Sequence, residues 1–299
     1  MIHSLQRFLK PEYFFQPGQI FRRLARRGVV PPEVSVVVPW GLSMTVNPAE
    51  TVGHALWHLG VYDLIASEIA WRLLQPGETA VDVGANVGVM SGLMARRVGP
   101  RGSVTSFEPH PKVFGFLQRN LNSWQKSGVP IGSVQIRQLA LSRTSGDAEM
   151  SEPPAFSGNY GLASLEPNGE AQGAGAEGRF MVRTARMDAE IPGPVHLLKV
   201  DVEGHEAKVF AGAESLLKSG CIRDILFEDH HPFPSEPASM LQSAGYTLFF
   251  MTRTFWGPVL ARPEEAREMP PWLPPNWLAT KNPERALELC KPSGWKVLG

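Results

Sequence analysis

The stretch AVDVGANVGVMSG, residues 80–92, joins a short apolar strand pattern to a helical pattern through a loop that contains glycine. Gly84 permits a sharp turn out of the strand, and Gly88 allows the next helix to begin close to the strand and to a ligand. In α/β proteins, ligands bind at the carboxyl ends of parallel strands, where a helix start offers free backbone N–H groups. We therefore expect this loop to be part of a ligand site.

On both sides of this stretch, short apolar runs alternate with amphipathic patterns. The runs TAVDVG, SVTSFEP, VQIRQLAL, VHLLKVDV and RDILFED have the length and composition of strands, and helical patterns follow the first, second and fourth. Parallel strands joined through helices require right-handed crossovers. The alternation therefore predicts an α/β fold with a mostly parallel, Rossmann-like sheet and helices on both of its faces.

The flanking segments have different patterns. EVSVVVPWGLSMTVNP predicts a β-hairpin, and YDLIASEIAWRLL predicts a helix. Residues 143–178 are rich in Gly, Ser and Pro and predict an insertion over one edge of the sheet. The Pro- and Trp-rich tail has one predicted helix near NPERALELC. We expect an N-terminal helix and hairpin at 1–60, a cofactor-binding domain at 61–256 and an extension packed on the core at 257–299.

The charge composition argues against bulk nucleic-acid binding. The chain has 299 residues, with 29 Lys plus Arg and 29 Asp plus Glu, so its formal net charge is zero. Electrostatic capture of nucleic acid needs a surplus of cations, and we expect no nucleic-acid partner. The local basic cluster Arg22–Arg27 predicts a solvated helix face, with weak contact to an anionic surface as the alternative.

The cysteine content and the hydropathy of the sequence bear on the cellular compartment of the protein. Cys221 and Cys290, the two cysteines of the chain, are too few for a disulfide framework and fit no metal-ligand spacing. No apolar run approaches the ~18 residues of a membrane-spanning helix, and the N-terminus has no signal-peptide pattern. We expect a cytoplasmic protein with no stable membrane insertion.

The residues of the loop favour a cofactor other than a dinucleotide or a nucleotide bound by a phosphate loop. The sequence has G-x-N-x-G, whereas dinucleotide sites use G-x-G-x-x-G and phosphate loops end in a lysine. Asp82, two residues before the first glycine, would repel a pyrophosphate but suits an ammonium group. S-adenosylmethionine carries an ammonium group and no phosphate, so the loop predicts that cofactor.

The following strands predict further contacts with this cofactor. Glu108, at the tip of the second strand, can accept hydrogen bonds from both ribose hydroxyls. Leu141 and Ser142 end the third strand where an adenine edge would lie, and Tyr62 precedes the first strand, where it can close over the methionine end. The complete set of candidate cofactor-binding residues is Tyr62, Asp82, Gly84, Ala85, Asn86, Gly88, Glu108, Pro109, Leu141, Ser142 and Asp201.

These motifs together resemble the FkbM-type S-adenosylmethionine-dependent methyltransferases. The resemblance is carried by AVDVGANVGVMSGLMARRVGPRGSVTSFEPHP, LLKVDVEGHEAKVFAGA and ILFEDHH, and it covers about residues 35–250. It implies a class I methyltransferase fold, with a seven-stranded, mostly parallel sheet that ends in an antiparallel hairpin. It also implies methyl transfer, most often to oxygen, on acceptors that vary across natural products, sugars and lipids. By resemblance, the methionine end is assigned to Asp82, Gly84, Asn86 and Gly88, the ribose to Glu108, and a site role to Asp201.

The tips of the fourth and fifth strands offer candidate catalytic groups. An acceptor hydroxyl becomes a better nucleophile when a general base takes its proton. DVEGHE and EDHH place Asp201, His205, Glu228 and His230 at these tips, and we assign the four as candidate catalytic residues. Which of them is the base stays open. Their oxygen-rich chemistry suits Mg²⁺, but the spacing is not diagnostic and we assign no metal.

The expected function is O-methylation of a hydroxyl on a small molecule, a sugar or a lipid-like natural product. The alternatives are an NAD-type or nucleotide-sugar oxidoreductase on a related sheet, and an inactive binding protein of the same fold. The unmet dinucleotide fingerprint argues against the first, and the intact loop and acids argue against the second. The expected partner is a small-molecule acceptor, with a homodimer left open.

Overall fold

The computed structural model describes residues 11–20, 30–165, 178–268 and 275–298. In chain order its strands are β1 Val34–Val37, β2 Ser43–Val46, β3 Thr79–Val83, β4 Ser103–Phe107, β5 Ser133–Arg137, β6 Ala140–Leu141, β7 Gly146–Ser151, β8 Arg179–Ala185, β9 Val195–Val200, β10 Ile222–Glu228, β11 Thr247–Thr254, β12 Gly257–Ala261 and β13 Asn276–Thr280. Its α-helices are α1 Pro11–Phe15, α2 Thr51–Leu59, α3 Leu64–Leu73, α4 Val89–Val98, α5 Pro111–Lys126, α6 Met187–Glu190, α7 Glu206–Gly212, α8 Glu214–Lys218, α9 Glu236–Ser243 and α10 Pro283–Leu289. The predicted basic cluster Arg22–Arg27 lies outside the described residues.

The central sheet has eight strands in the order β12-β11-β13-β10-β9-β3-β4-β5. The five strands from β10 to β5 are parallel, and β13, β11 and β12 are antiparallel to their neighbours. Alternate residues of β3 enter the two cores: Ala80 packs on one face, and Val81 and Val83 pack on the other. Burial on both faces explains why β3 places apolar residues on each of its two faces. The predicted α/β class with a mostly parallel sheet is confirmed.

The predicted strand count was wrong by one. The sheet has eight strands where seven were expected, because β11 turns back after Thr254 and β12 pairs with it from Gly257 onward. The segment VQIRQLAL was also predicted as one strand. It divides instead, with β5 at the edge of the central sheet and β6 paired with β8 in a separate three-stranded sheet.

The predicted domain boundaries remain a prediction. Two strands of the segment 257–299, β12 and β13, belong to the central sheet, and β13 lies between β10 and β11. The predicted N-terminal hairpin is present as β1 and β2. It is joined to α5 by side chains, since the Trp124 indole N–H donates to the Ser43 carbonyl at 3.0 Å and Asn120 Oδ1 accepts from the Thr45 amide at 2.7 Å.

The described residues contain no helix with the length and apolar character to cross a membrane.

Candidate functional site

A pocket lies at the carboxyl ends of β3, β4, β9 and β10. This is the point where the strand order changes direction, because β4 lies on one side of β3 and β9 lies on the other. Ten of the predicted site residues line it: Tyr62, Gly84, Ala85, Asn86, Glu108, Pro109, Leu141, Asp201, His205 and Glu228. Four others are not part of its lining: Asp82, Gly88, Ser142 and His230. The fourteen residues therefore fall on one end of the sheet, but at different depths.

The position of Gly84 admits no side chain. Its φ is +74°, and a Cβ atom there would lie 1.9 Å from the carbonyl oxygen of Asp201. The Gly84 and Ala85 amides both donate to the Phe107 carbonyl at 3.0 Å, which ties the turn to the end of β4. Gly84 therefore allows β3, β4 and β9 to converge at the pocket.

Gly88 lies where the start of α4 packs against α5. Its φ is +96°, and a Cβ atom would lie 2.6 Å from Leu117 Cδ1 and 3.0 Å from the Trp124 ring. These side chains belong to α5, so the glycine permits close packing of α4 against α5. The predicted contact of Gly88 with a cofactor stays a prediction. The geometry shows that Gly88 allows α4 and α5 to pack closely.

Glu108 sits directly after β4 with both carboxylate oxygens already oriented. Oε2 accepts the Asn86 amide and Oε1 accepts the His110 amide, each at 2.9 Å. The side chain is buried, and burial raises its pKa to about 7 against the opposing effect of these two hydrogen bonds. Each oxygen keeps a second lone pair for a ligand hydroxyl. The arrangement fits the predicted ribose contact.

Asp82 lies beneath the pocket in a buried network. Its Oδ2 accepts the Ser91 hydroxyl at 2.5 Å, and its Oδ1 lies 3.6 Å from Lys199 Nζ. Burial raises the pKa of Asp82, opposed by the charge of Lys199. The carboxylate of Asp82 is fully buried below the loop. Its predicted direct contact with a ligand stays a prediction.

Lys199 lines the pocket but was not among the predicted site residues. Its Nζ donates to the Gly84 carbonyl at 2.8 Å and lies 3.3 Å from Asp201 Oδ2. Burial opposes its charge, but Asp201 and Asp82 more than offset this and raise the pKa of Lys199. The signal available in the sequence was a lysine within the apolar run of a central strand. The parallel pairing of β3 and β9 places this lysine beside Asp82.

Acidic side chains surround Asp201 on the open side. Burial and the charge of Asp201 raise the pKa of Glu228, which shares a hydrogen bond with Asp201. The same two effects raise the pKa of Glu203 to about 7. Tyr62 also faces this cluster, and burial together with the nearby carboxylates raises its pKa. The raised pKa favours the protonated form of Glu228, whose carboxyl can donate its hydrogen bond to Asp201.

The two predicted histidines have unlike environments. His205 is buried in the pocket wall, where its Nε2 hydrogen-bonds Ser142 Oγ at 3.0 Å, and burial lowers its pKa. His230 is 61% exposed and pairs with Glu228 at 3.3 Å from outside the pocket lining. Ser142 thus contacts His205 rather than the pocket. In the described part of the chain, no group of three His, Cys, Asp or Glu side chains is arranged to hold a metal ion.

Comparison with known proteins fits this architecture. Residues 82–249, more than half of the chain, match the model of the methyltransferase FkbM domain. The chain belongs to the FkbM methyltransferase family. The resemblance seen in the sequence is confirmed, and this FkbM-family chain is a methyltransferase.

Individual relatives are distant. The chain is 26% identical over 209 residues to the hexuronic acid methyltransferase AglP of Haloferax volcanii, a match that covers 67% of this chain and 74% of that protein. It is 27% identical over 206 residues to methyltransferase sdnD of Sordaria araneosa, covering 60% of this chain and 76% of the relative. A crystal structure of methyltransferase FkbM from Methylobacillus flagellatus matches with 12% identity and a TM-score of 0.39, over 68% of this chain and 43% of that one.

Proposed function

We propose that this chain transfers a methyl group from S-adenosylmethionine to a hydroxyl oxygen of a small-molecule acceptor. The observation that carries the proposal is the setting of Glu108, whose carboxylate is held by two backbone amides beside the Gly84–Asn86 turn. A ligand with a vicinal diol, such as a ribose, would use the remaining lone pairs.

The charge of the pocket supports this cofactor. Its described lining includes five carboxylates and one lysine, and that lysine is already paired with acids: Asp63, Glu108, Asp201, Glu203, Glu228 and Lys199. Such a site favours a ligand with ammonium and sulfonium charges and disfavours a pyrophosphate. Apolar side chains of Phe107, Leu139 and Leu141 offer a surface for an adenine ring.

When bound, the cofactor supplies a methyl group on an electrophilic sulfonium. The residues of the chain then have separable tasks. Glu108 orients the ribose, and Asp201 accepts and keeps the proton of the acceptor hydroxyl, while the protonated Glu228 carboxyl holds Asp201 in place by a hydrogen bond. Tyr160, which is buried, and Tyr62, which is partly buried, line the pocket and help to exclude water from it.

Calorimetry and product analysis test the proposal. We expect S-adenosylhomocysteine to bind the full chain at micromolar concentration and NADH to show no heat of binding. An acceptor panel of hexuronates and hydroxylated natural products, chosen because one relative is a hexuronic acid methyltransferase, should then give a methyl ether by mass spectrometry. Failure of S-adenosylhomocysteine to bind below millimolar concentration would refute the proposal.

A first prediction concerns Glu108→Ala. Removing the carboxylate should weaken S-adenosylhomocysteine binding by ~1.5–3 kcal/mol, the usual contribution of hydrogen bonds to a charged group. Calorimetry measures the change. Glu149→Ala, which removes an exposed carboxylate in β7, is the matched control and should bind as the wild type does. Equal affinity in Glu108→Ala and the control would take Glu108 out of the site.

A further inference from the structure

A second cavity borders the pocket and shares Tyr160 with it. The lining of this cavity, called here the α5 groove, consists of Pro32, Glu33, Asn47, Lys112, Gly115, Phe116, Arg119 and Tyr160. We propose that the α5 groove binds the anionic group, a carboxylate or a phosphate, of a sugar-sized methyl acceptor whose hydroxyl reaches Asp201. This inference rests on the proposed function and specifies its acceptor.

Lys112 supplies the positive charge of the groove. Its Nζ lies 4.7 Å from the centre of the Tyr160 ring and 5.7 Å from that of Phe156, so the aromatic rings hold the cation in place. It belongs to the first turn of α5, where the helix dipole adds a favourable field for an anion. Across the described ranges Lys112 forms no ion pair, so its charge is available to a ligand.

The other charges of the groove compensate each other. Arg119 donates to both carboxylate oxygens of Glu33, at 3.2 and 3.0 Å. The Arg119 guanidinium also lies 4.4 Å from the centre of the Phe116 ring. Because Glu33 neutralises Arg119, the net charge of the groove is the single positive charge of Lys112.

Gly115 leaves space in the groove that the fold does not require. It lies in the second turn of α5, inside the helix, where glycine destabilises a helix relative to alanine. Among the described residues, a Cβ atom at this position would meet no atom within 4 Å, so packing against them does not explain the glycine. The open space is available to a ring stacked between Lys112 and Phe116.

Tyr160 lies at the border between the groove and the pocket and forms part of both linings. Its hydroxyl accepts a hydrogen bond from Asn47 Nδ2 at 3.0 Å, which fixes the ring between the two cavities. The pocket side is lined with carboxylates, which would repel an anionic group, whereas the groove side presents Lys112. An acceptor with an anion at one end and a hydroxyl at the other is therefore oriented by charge.

Binding of three sugar derivatives tests the inference. The full chain, saturated with S-adenosylhomocysteine, is titrated with methyl β-glucuronide, glucose 6-phosphate and the neutral methyl β-glucoside. We expect at least one anionic sugar to bind about tenfold more tightly than the neutral one, which is about 1.4 kcal/mol, with the preference falling as salt is added. A preference for the glucuronide alone identifies a carboxylate, and one for the phosphate alone identifies a phosphate. Equal binding of all three, or no binding, overturns the inference.

Matched variants locate the effect. Lys112→Gln should abolish the preference, and Lys126→Gln, an exposed lysine at the other end of the same helix, should keep it. Gly115→Leu should fill the groove and weaken glucuronide binding, while Gly115→Ala should raise the melting temperature without blocking it. An unchanged preference in Lys112→Gln contradicts the inference. If S-adenosylhomocysteine itself does not bind, the proposed function fails instead, so the two failures are distinguishable.

Discussion

Replacing Asp201 by asparagine is expected to lower kcat by about 10²–10⁴-fold, the range for loss of a general base. The carboxylate lies at the end of β9, is one-third exposed toward the pocket, and is positioned by Lys199 at 3.3 Å. Asparagine keeps the size and the polar contact but cannot accept the proton of an acceptor hydroxyl. Steady-state methylation kinetics measure the effect once an acceptor has been found in the panel.

Binding and stability measurements separate this loss from a structural one. Asp201→Asn should keep its affinity for S-adenosylhomocysteine within about tenfold and its melting temperature close to that of the wild type. Glu214→Gln, an exposed acid on α8, is the matched control and should leave kcat unchanged. His205→Gln tests the rival base. A larger drop in kcat for His205→Gln than for Asp201→Asn would assign proton transfer to the histidine.

The sequence predicted the parallel half of the fold because its signals are local. β3 and β9 are short runs rich in apolar residues and bounded by turn residues, and both are buried on both faces. The antiparallel half was less predictable. β13 lies between β10 and β11, although β11 and β12 precede it in the chain, and a non-local pairing leaves no periodic signal.

The site was predictable where backbone geometry required a residue type. Gly84 is such a case, because the Asp201 carbonyl occupies the place of a Cβ atom. Gly88 shows the limit of this reasoning. The same local pattern predicts a ligand contact, which remains a prediction, but it does not reveal that the atoms excluding a side chain there belong to Leu117 and Trp124 of α5. Contacts across sheet neighbours, such as Lys199 with Asp82, require the strand register, and the sequence does not provide it.

The buried charges under the pocket lead to the second large effect. Lys199→Met should destabilise the fold by about 3–5 kcal/mol at pH 8, because it leaves Asp82 buried without a cation. Burial raises the folded-state pKa of Asp82, and loss of Lys199 should raise it further. A carboxyl with a raised folded-state pKa binds more protons in the folded than in the unfolded state, so the free energy of unfolding increases as the pH falls. The deficit of the variant should therefore shrink from pH 8 to about pH 5.

A double variant decides whether the charge of Asp82 is the cause. Asp82→Asn in the Lys199→Met background removes the unpaired carboxylate and keeps a polar partner for Ser91, so it should recover much of the lost stability at pH 8. It should also remove the pH dependence, as measured by urea unfolding between pH 5 and pH 8. A deficit that is independent of pH and unrelieved by Asp82→Asn would instead point to the lost hydrogen bond from Lys199 to the Gly84 carbonyl. In that case the lysine acts on the loop conformation, and S-adenosylhomocysteine affinity should fall in both variants alike.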